Sequence, residues 1–210
     1  MKRILVIERE YGAGGSVIAE QAAQRLGWKL LDHALTEEIA RIAKVSPSVC
    51  EQRSERVDPW LYRLAKVFWR GSHERSVQFA DSDVLDAERL ICLTRQVIEE
   101  AAATGQCVIV GRCAPYFLRD RADTFRVFLY ASREIKFQRV FAEVKDEAKA
   151  IDLVDNVDEE RVEFVKRYFG AQWPSRQLYD AMLNTGIGED ATVDIILDLM
   201  ERDEKRETGK

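Results

Sequence analysis

The first strong pattern along the chain is an unbroken apolar run at residues 4–7, rich in β-branched side chains and followed by charge. Continuous apolarity over so few positions fits a strand buried on both faces, as in a parallel sheet. Gly12, Ala13, Gly14 and Gly15 come next. Val17, Ile18, Ala22 and Leu26 then recur at helical spacing up to a stop at Gly27. The chain therefore opens as strand, glycine turn, helix. Residues 28–31 form a short second strand ending at Asp32, and residues 35–43 read as a helix. Ser46-Pro47 and Asp58-Pro59 each look like a helix start. Leu90, Ile91, Leu93, Val97 and Ile98 predict one longer helix over 86–103. Buried-type strands are predicted at 107–110 and 125–130, and Ser132 stands as the N-cap of a helix carrying Phe137, Val140, Phe141 and Val144. Residues 145–160 are densely charged. A helix is expected over 161–169, stopped by Gly170, then a last strand over 179–183 and a C-terminal helix with Val193, Ile196, Leu197 and Met200 on one side. Strands alternating with helices indicate a parallel sheet covered on both faces.

Composition narrows the class. The 210 residues suit a single domain spanning 1–210, and 46% hydrophobic with 33% charged residues is ordinary for a globular enzyme. The net charge of −5 gives no general attraction to nucleic acid or to an anionic membrane. The N-terminus lacks the roughly 7–15 apolar residues of a secretory signal. No stretch approaches the roughly 20 of a membrane span. A cytoplasmic protein is the expectation. Cys50, Cys92, Cys107 and Cys113 form no C-x-x-C pair, and His33 and His73 are the only histidines. Buried free thiols are therefore expected rather than a zinc site or a disulfide framework.

The candidate chemistry lies in the first loop, from Arg9 to Ser16. Loops leaving the carboxyl ends of parallel strands are where such folds bind ligands. Successive N–H groups running into a helix N-terminus make a phosphate cradle. Against the phosphate-loop pattern G-x-x-x-x-G-K-[ST], Gly14 and Ser16 match the closing glycine and hydroxyl, Gly15 stands where the lysine belongs, and Arg9 stands at the first glycine. Gly12, Ala13, Gly14, Gly15 and Ser16 are thus the cofactor-binding candidates, with the Ser16 hydroxyl on the metal side. Of the charged collar Glu8, Arg9 and Glu10, one is a candidate to orient metal-bound water, or Arg9 to replace part of the missing charge. The alternative is a tight strand-to-helix turn that binds nothing.

Several segments together resemble the cytidylate kinase-like family, a branch of the P-loop nucleoside monophosphate kinases: Arg9-Glu10-Tyr11-Gly12-Ala13-Gly14-Gly15, Leu31-Asp32, residues 108–114 (V-I-V-G-R-C-A), residues 161–170 and Asn184-Thr185. The resemblance implies a three-layer α/β/α P-loop kinase-like parallel sheet. It also implies a helical monophosphate-binding insertion, about 35–103, and a lid, about 142–170. The implied activity is transfer of the γ-phosphoryl group of ATP to a nucleoside monophosphate with Mg2+. Ser16 and Val17 stand where members often carry a basic and an acidic residue, which removes one phosphate contact.

Such a transfer needs positive charge around the equatorial oxygens more than covalent help. Arg112 is the expected clamp on the acceptor phosphate, its alternative being a salt bridge at the sheet edge. Arg139, Arg161 and Arg167 are lid candidates, their alternative being solvated surface. Positions 161, 164, 165 and 168 share one helix face, whereas Arg167 falls to the side. Asp32 either organises the acceptor site or caps a following helix. The segment 60–70 carries Arg63, Lys66 and Arg70 beside an apolar set, which suits core or a homodimer interface. Three functions compete at this point: a nucleoside monophosphate kinase with nucleotide substrates, a nucleotide-binding regulator that lost turnover, and an assembly module.

Overall fold

The computed structural model of the chain describes residues 2–32 and 87–207. The helices expected over 35–43, after Ser46-Pro47 and over 60–68 lie outside the described residues, as does the 60–70 surface proposed for a homodimer. The described elements run β1 Ile4–Arg9, α1 Gly15–Leu26, β2 Lys29–Leu31, α2 Ala87–Thr104, β3 Cys107–Val110, a short α3 Ala114–Phe117, β4 Thr124–Tyr130, α4 Arg133–Val144, α5 Glu147–Phe169, β5 Ala181–Asn184 and α6 Glu189–Glu207.

The five strands form one parallel sheet in the order β2-β3-β1-β4-β5. β1 lies at the centre, with Ile4 opposite Cys107 on one side and Thr124 on the other. All six of its residues are buried, as its unbroken apolar run demands. Alternation splits the sheet into two cores. Ile4, Val6, Ile109 and Phe128 face Val97, Ile98, Tyr116, Phe164 and Trp173. Leu5, Ile7, Val108, Val110, Val127 and Leu129 face Ile18, Ala22, Val193 and Ile196. The three-layer α/β/α expectation is met, with α1 and α6 on one face and α2, α3 and α5 on the other. Among the described residues no helix is long and apolar enough to cross a membrane.

α1 ends where Gly27 was expected to stop it. Gly27 is left-handed (φ 66°), its N–H donates to the Gln24 carbonyl at 3.2 Å, and the Trp28 N–H donates to the Ala23 carbonyl at 2.9 Å. That double bond satisfies the last carbonyls of the helix.

Two expectations shift. The last strand begins at Ala181, not at residue 179, because the Asp180 carboxylate takes the Arg126 N–H at 2.7 Å while Asp180 donates its own N–H to the Arg126 carbonyl at 2.8 Å. Tyr179 instead packs its ring 5.2 Å from that of Phe128. The helix expected from residue 161 begins at Glu147, where the Asp146 side chain accepts from the Lys149 N–H at 3.0 Å. The charged stretch is thus the outer side of an amphipathic helix whose inner side is Ala150, Leu153, Val154 and Val157. The thiols divide as well: Cys107 and Cys113 are buried, but Cys92 is exposed.

Candidate phosphate-binding site

The chain leaves β1 at the carboxyl edge of the sheet and turns through residues 10–14 into α1. Gly14 precedes the helix in a left-handed conformation (φ 77°) that suits glycine, and it offers no side-chain cap to the first turn. The first-turn amides and the positive end of the helix dipole therefore meet with no acidic residue at the helix start. α4 presses on the loop from outside: a Cβ on Gly12 would lie 3.0 Å from the Lys136 carbonyl and from Val140 Cγ2. A cavity of about 280 Å³ opens between the loop, α4 and Arg161, with Arg139, Glu143 and Glu189 on its rim. That is close to the lower end of small-molecule pockets, about 300–1,000 Å³.

Each expected residue has a definite place. Ser16 Oγ donates to Asp32 Oδ2 at 3.1 Å, and both residues are buried. Asp32 Oδ1, also buried, has no hydrogen-bond partner among the described residues. A hydroxyl and a buried carboxylate oxygen without a hydrogen-bond partner among the described residues suit Mg2+, which takes one or two carboxylates and completes its shell with phosphate and water. Among the described residues no group of three or more His, Cys, Asp or Glu side chains could hold a metal by itself.

Arg112 is buried at the end of β3. The turn that puts it there runs through three consecutive left-handed residues, Gly111 (φ 64°), Arg112 (φ 56°) and Cys113 (φ 57°). Two of them are not glycine, so the site stores backbone strain of roughly 1–3 kcal/mol per residue. Burial pushes the Arg112 guanidinium down to about 10, with Asp32 opposing the drop and Arg9 adding to it. Arg112 still carries its charge at neutral pH. Arg9 is buried beside Glu8, Nη1 to Oε1 at 3.6 Å. Burial and then Arg161 hold it below the usual arginine range, while Glu8, Asp32 and Asp158 act the other way.

α5 lies over the loop. Arg161 Nη1 donates to the Arg9 carbonyl at 2.7 Å and to Asp158 Oδ1 at 2.9 Å, and its guanidinium sits 5.7 Å from the Trp173 ring centre. Asp158 Oδ1 accepts the Tyr11 N–H at 2.9 Å. Lys136 Nζ donates to Glu10 Oε2 at 3.0 Å and to Asp158 Oδ2 at 3.4 Å. Arg139 packs against Gly14 and donates from Nη1 to Thr185 Oγ1 at 2.8 Å, and that hydroxyl donates to the Ala13 carbonyl at 2.8 Å. Arg167 stays outside this group: it is exposed, with its guanidinium 5.8 Å from the Tyr168 ring centre.

The structure adds Lys136 and Asp158 to the residues read from sequence, and it gives Thr185, in the sequence only part of a resembling segment, a definite contact. Thr185 carries the readable signal, since it follows β5 at the ligand-binding edge of the sheet. Replacing it by valine keeps the volume but leaves the Ala13 carbonyl and the Arg139 donor without their partner. The expected cost is about 1–3 kcal/mol, seen as a lower urea midpoint with an unchanged slope.

Comparison with known proteins places these features in a family. The model of the cytidylate kinase-like family matches residues 4–187. The fold is similar to an uncharacterized protein from Eubacterium ventriosum, with a TM-score of 0.68 at 20% identity over 95% of this chain and 99% of that one. It is also similar to shikimate kinase from Acinetobacter baumannii in complex with shikimate, with a TM-score of 0.53 at 16% identity over 97% and 95% of the two chains. Shikimate kinase from Bacteroides thetaiotaomicron gives a TM-score of 0.51 at 16% identity over 94% and 98%. At these identities the likeness is one of fold. No curated protein matches the chain in sequence.

Proposed function

The chain belongs to the cytidylate kinase-like family, and from that premise we propose that it transfers the γ-phosphoryl group of ATP, with Mg2+, to a nucleoside monophosphate or a related small phosphate acceptor. The observation that supports this reading is the Ser16–Asp32 pair at the start of an uncapped, glycine-led helix, in which Asp32 Oδ1 is buried with no hydrogen-bond partner among the described residues. Ser16 and Asp32 would hold Mg2+, which would supply charge neutralisation to the donor phosphates when bound. The amides of residues 12–16 orient the donor phosphates. Arg112 meets the acceptor phosphate with two parallel donors. Arg161 and Lys136, already against the loop, add positive charge to the transferring group and exclude water as α5 closes over it. Arg139 braces the loop through Thr185. No covalent intermediate is needed, because in-line positioning and charge supply the rate enhancement.

A second reading is a nucleotide-binding regulator without turnover. It draws on Gly15 at the lysine position and on the engagement of Arg161 and Lys136 by Asp158. A coupled assay with ATP, Mg2+ and a panel of monophosphates separates the two. The kinase reading expects turnover with at least one acceptor. ATP binding without turnover on any acceptor refutes it and favours the regulator.

A further inference from the structure

Gly15 raises a question that its backbone does not answer. The left-handed glycines of the loop are Gly12 and Gly14, whereas Gly15 is the first residue of α1 and its φ is not positive. Glycine is a poor helix residue, so something other than conformation holds it there. The reason is Arg9. A Cβ on Gly15 would lie 2.8 Å from Arg9 Cγ, 3.1 Å from its Cβ and 3.3 Å from its Cδ. These are the stem atoms of the arginine and cannot swing aside as its far end could. Further along the same side chain, a Cβ on Gly111 would lie 1.9 Å from Arg9 Nη1. The arginine thus leaves the end of β1, crosses the bare face of Gly15 and ends against the bare face of Gly111.

We infer that Arg9 and Gly15 have exchanged roles within the phosphate loop, so that the cation which the G-x-x-x-x-G-K-[ST] pattern puts on the first helical residue is delivered from the last residue of β1 through a slot formed by Gly15 and Gly111. This rests on the proposed nucleotide reading and deepens it. The two positions exclude each other sterically: a side chain at 15 and an arginine at 9 claim the same volume. The exchange also changes the chemistry. A guanidinium presents a planar fork of donors that can bridge two phosphoryl oxygens, where an ammonium is a point charge. Its charged neighbours include Arg161 and Asp158 from α5 and Asp32 and Arg112 at the ends of β2 and β3. The guanidinium therefore shares its surroundings with the carboxylate proposed for Mg2+ and with the proposed acceptor clamp, Arg112. The missing lysine is then a relocation of the charge and not a loss of it.

The test is a reciprocal exchange, with Mg·ATP and Mg·tripolyphosphate as probes in equilibrium titrations. R9G should weaken binding about 30-fold, the loss of a charge-assisted contact. G15K alone should bind no better than R9G, because two side chains contend for one slot. R9G/G15K, which writes the full pattern, should return to within about threefold of the wild type. A ligand-free readout accompanies it: Gly15→Ala should lower the urea midpoint of the wild type but raise it in the R9G background, where only the helix-propensity gain remains. The inference is overturned if the double exchange binds as weakly as R9G, if G15K binds as tightly as the wild type, or if Gly15→Ala raises the midpoint in both backgrounds. Wild-type protein that binds tripolyphosphate but not ATP refutes the nucleotide reading alone and leaves the exchange to be judged on tripolyphosphate. Wild-type protein that binds neither probe refutes both.

Discussion

Arg112→Ala is expected to lower kcat/KM for the acceptor by about 10³-fold, at the upper end of what removal of one oriented donor costs. Two effects add. The acceptor phosphate loses its fork, and the buried Asp32 loses the cation that opposes its charge. Removing the charge beside buried Asp32 also costs stability, so a drop in activity alone would be ambiguous. Two further variants separate the terms. Arg112→Lys keeps a charge near Asp32 but loses the planar fork, and should retain most of the stability while still losing about 10²-fold in rate. Arg112→Gly suits the left-handed backbone at this position (φ 56°) and should unfold at higher urea than Arg112→Ala while remaining as inactive. Activity that follows the urea midpoint across the three variants would assign Arg112 a structural role only.

Gly111→Ala is expected to destabilise the fold by about 2–4 kcal/mol and to weaken nucleotide binding with it. About 1 kcal/mol comes from an L side chain at φ 64°. A further 1–3 kcal/mol, roughly, comes from overpacking against the buried Arg9 guanidinium, 1.9 Å from the new methyl group. Gly170 provides the control. It has nearly the same backbone (φ 60°) but nothing within 4 Å of an added Cβ, so Gly170→Ala should cost only the conformational part. The difference between the two alanine variants in urea unfolding isolates the Arg9 contact. That difference should vanish when Gly111→Ala is made together with Arg9→Gly. Equal costs at the two glycines in the wild-type background would mean that Arg9 yields without penalty.

The elements of the sheet were legible where burial on both faces erased polar alternation. Residues 4–7 and 107–110 are unbroken apolar runs, and both are fully buried central strands. The edge strand β5 was displaced in the reading because Tyr179 looks like strand, yet its register is set by the Asp180 side chain bonding Arg126, a tertiary contact with no local signal. α5 was shortened because charge density over 145–160 masked a clean apolar period at 150, 153, 154 and 157. At the site, the loop and the end of β3 could be found from their place after buried strands. Arg139 on α4 and Arg161 on α5 are legible through the family resemblance, and Thr185 is readable from its place after β5, but the charged residues that engage them are not. Asp158 and Lys136 look like members of a charged surface until the fold brings them to Glu10 and Tyr11. Gly15 could be read only as a missing lysine, since the steric claim of Arg9 on its open face is a fact of packing.

The central claim is that the amides of residues 12–16 receive the phosphates of a Mg·nucleoside triphosphate. The most direct measurement is a titration of ¹⁵N-labelled protein with Mg·ATP, followed through the backbone amide signals. The largest saturable shifts are expected at Gly12, Ala13, Gly14, Gly15 and Ser16, and they should diminish when Mg2+ is chelated. Saturable binding that leaves these five amides unmoved, or the absence of any shift at millimolar Mg·ATP, would contradict the account.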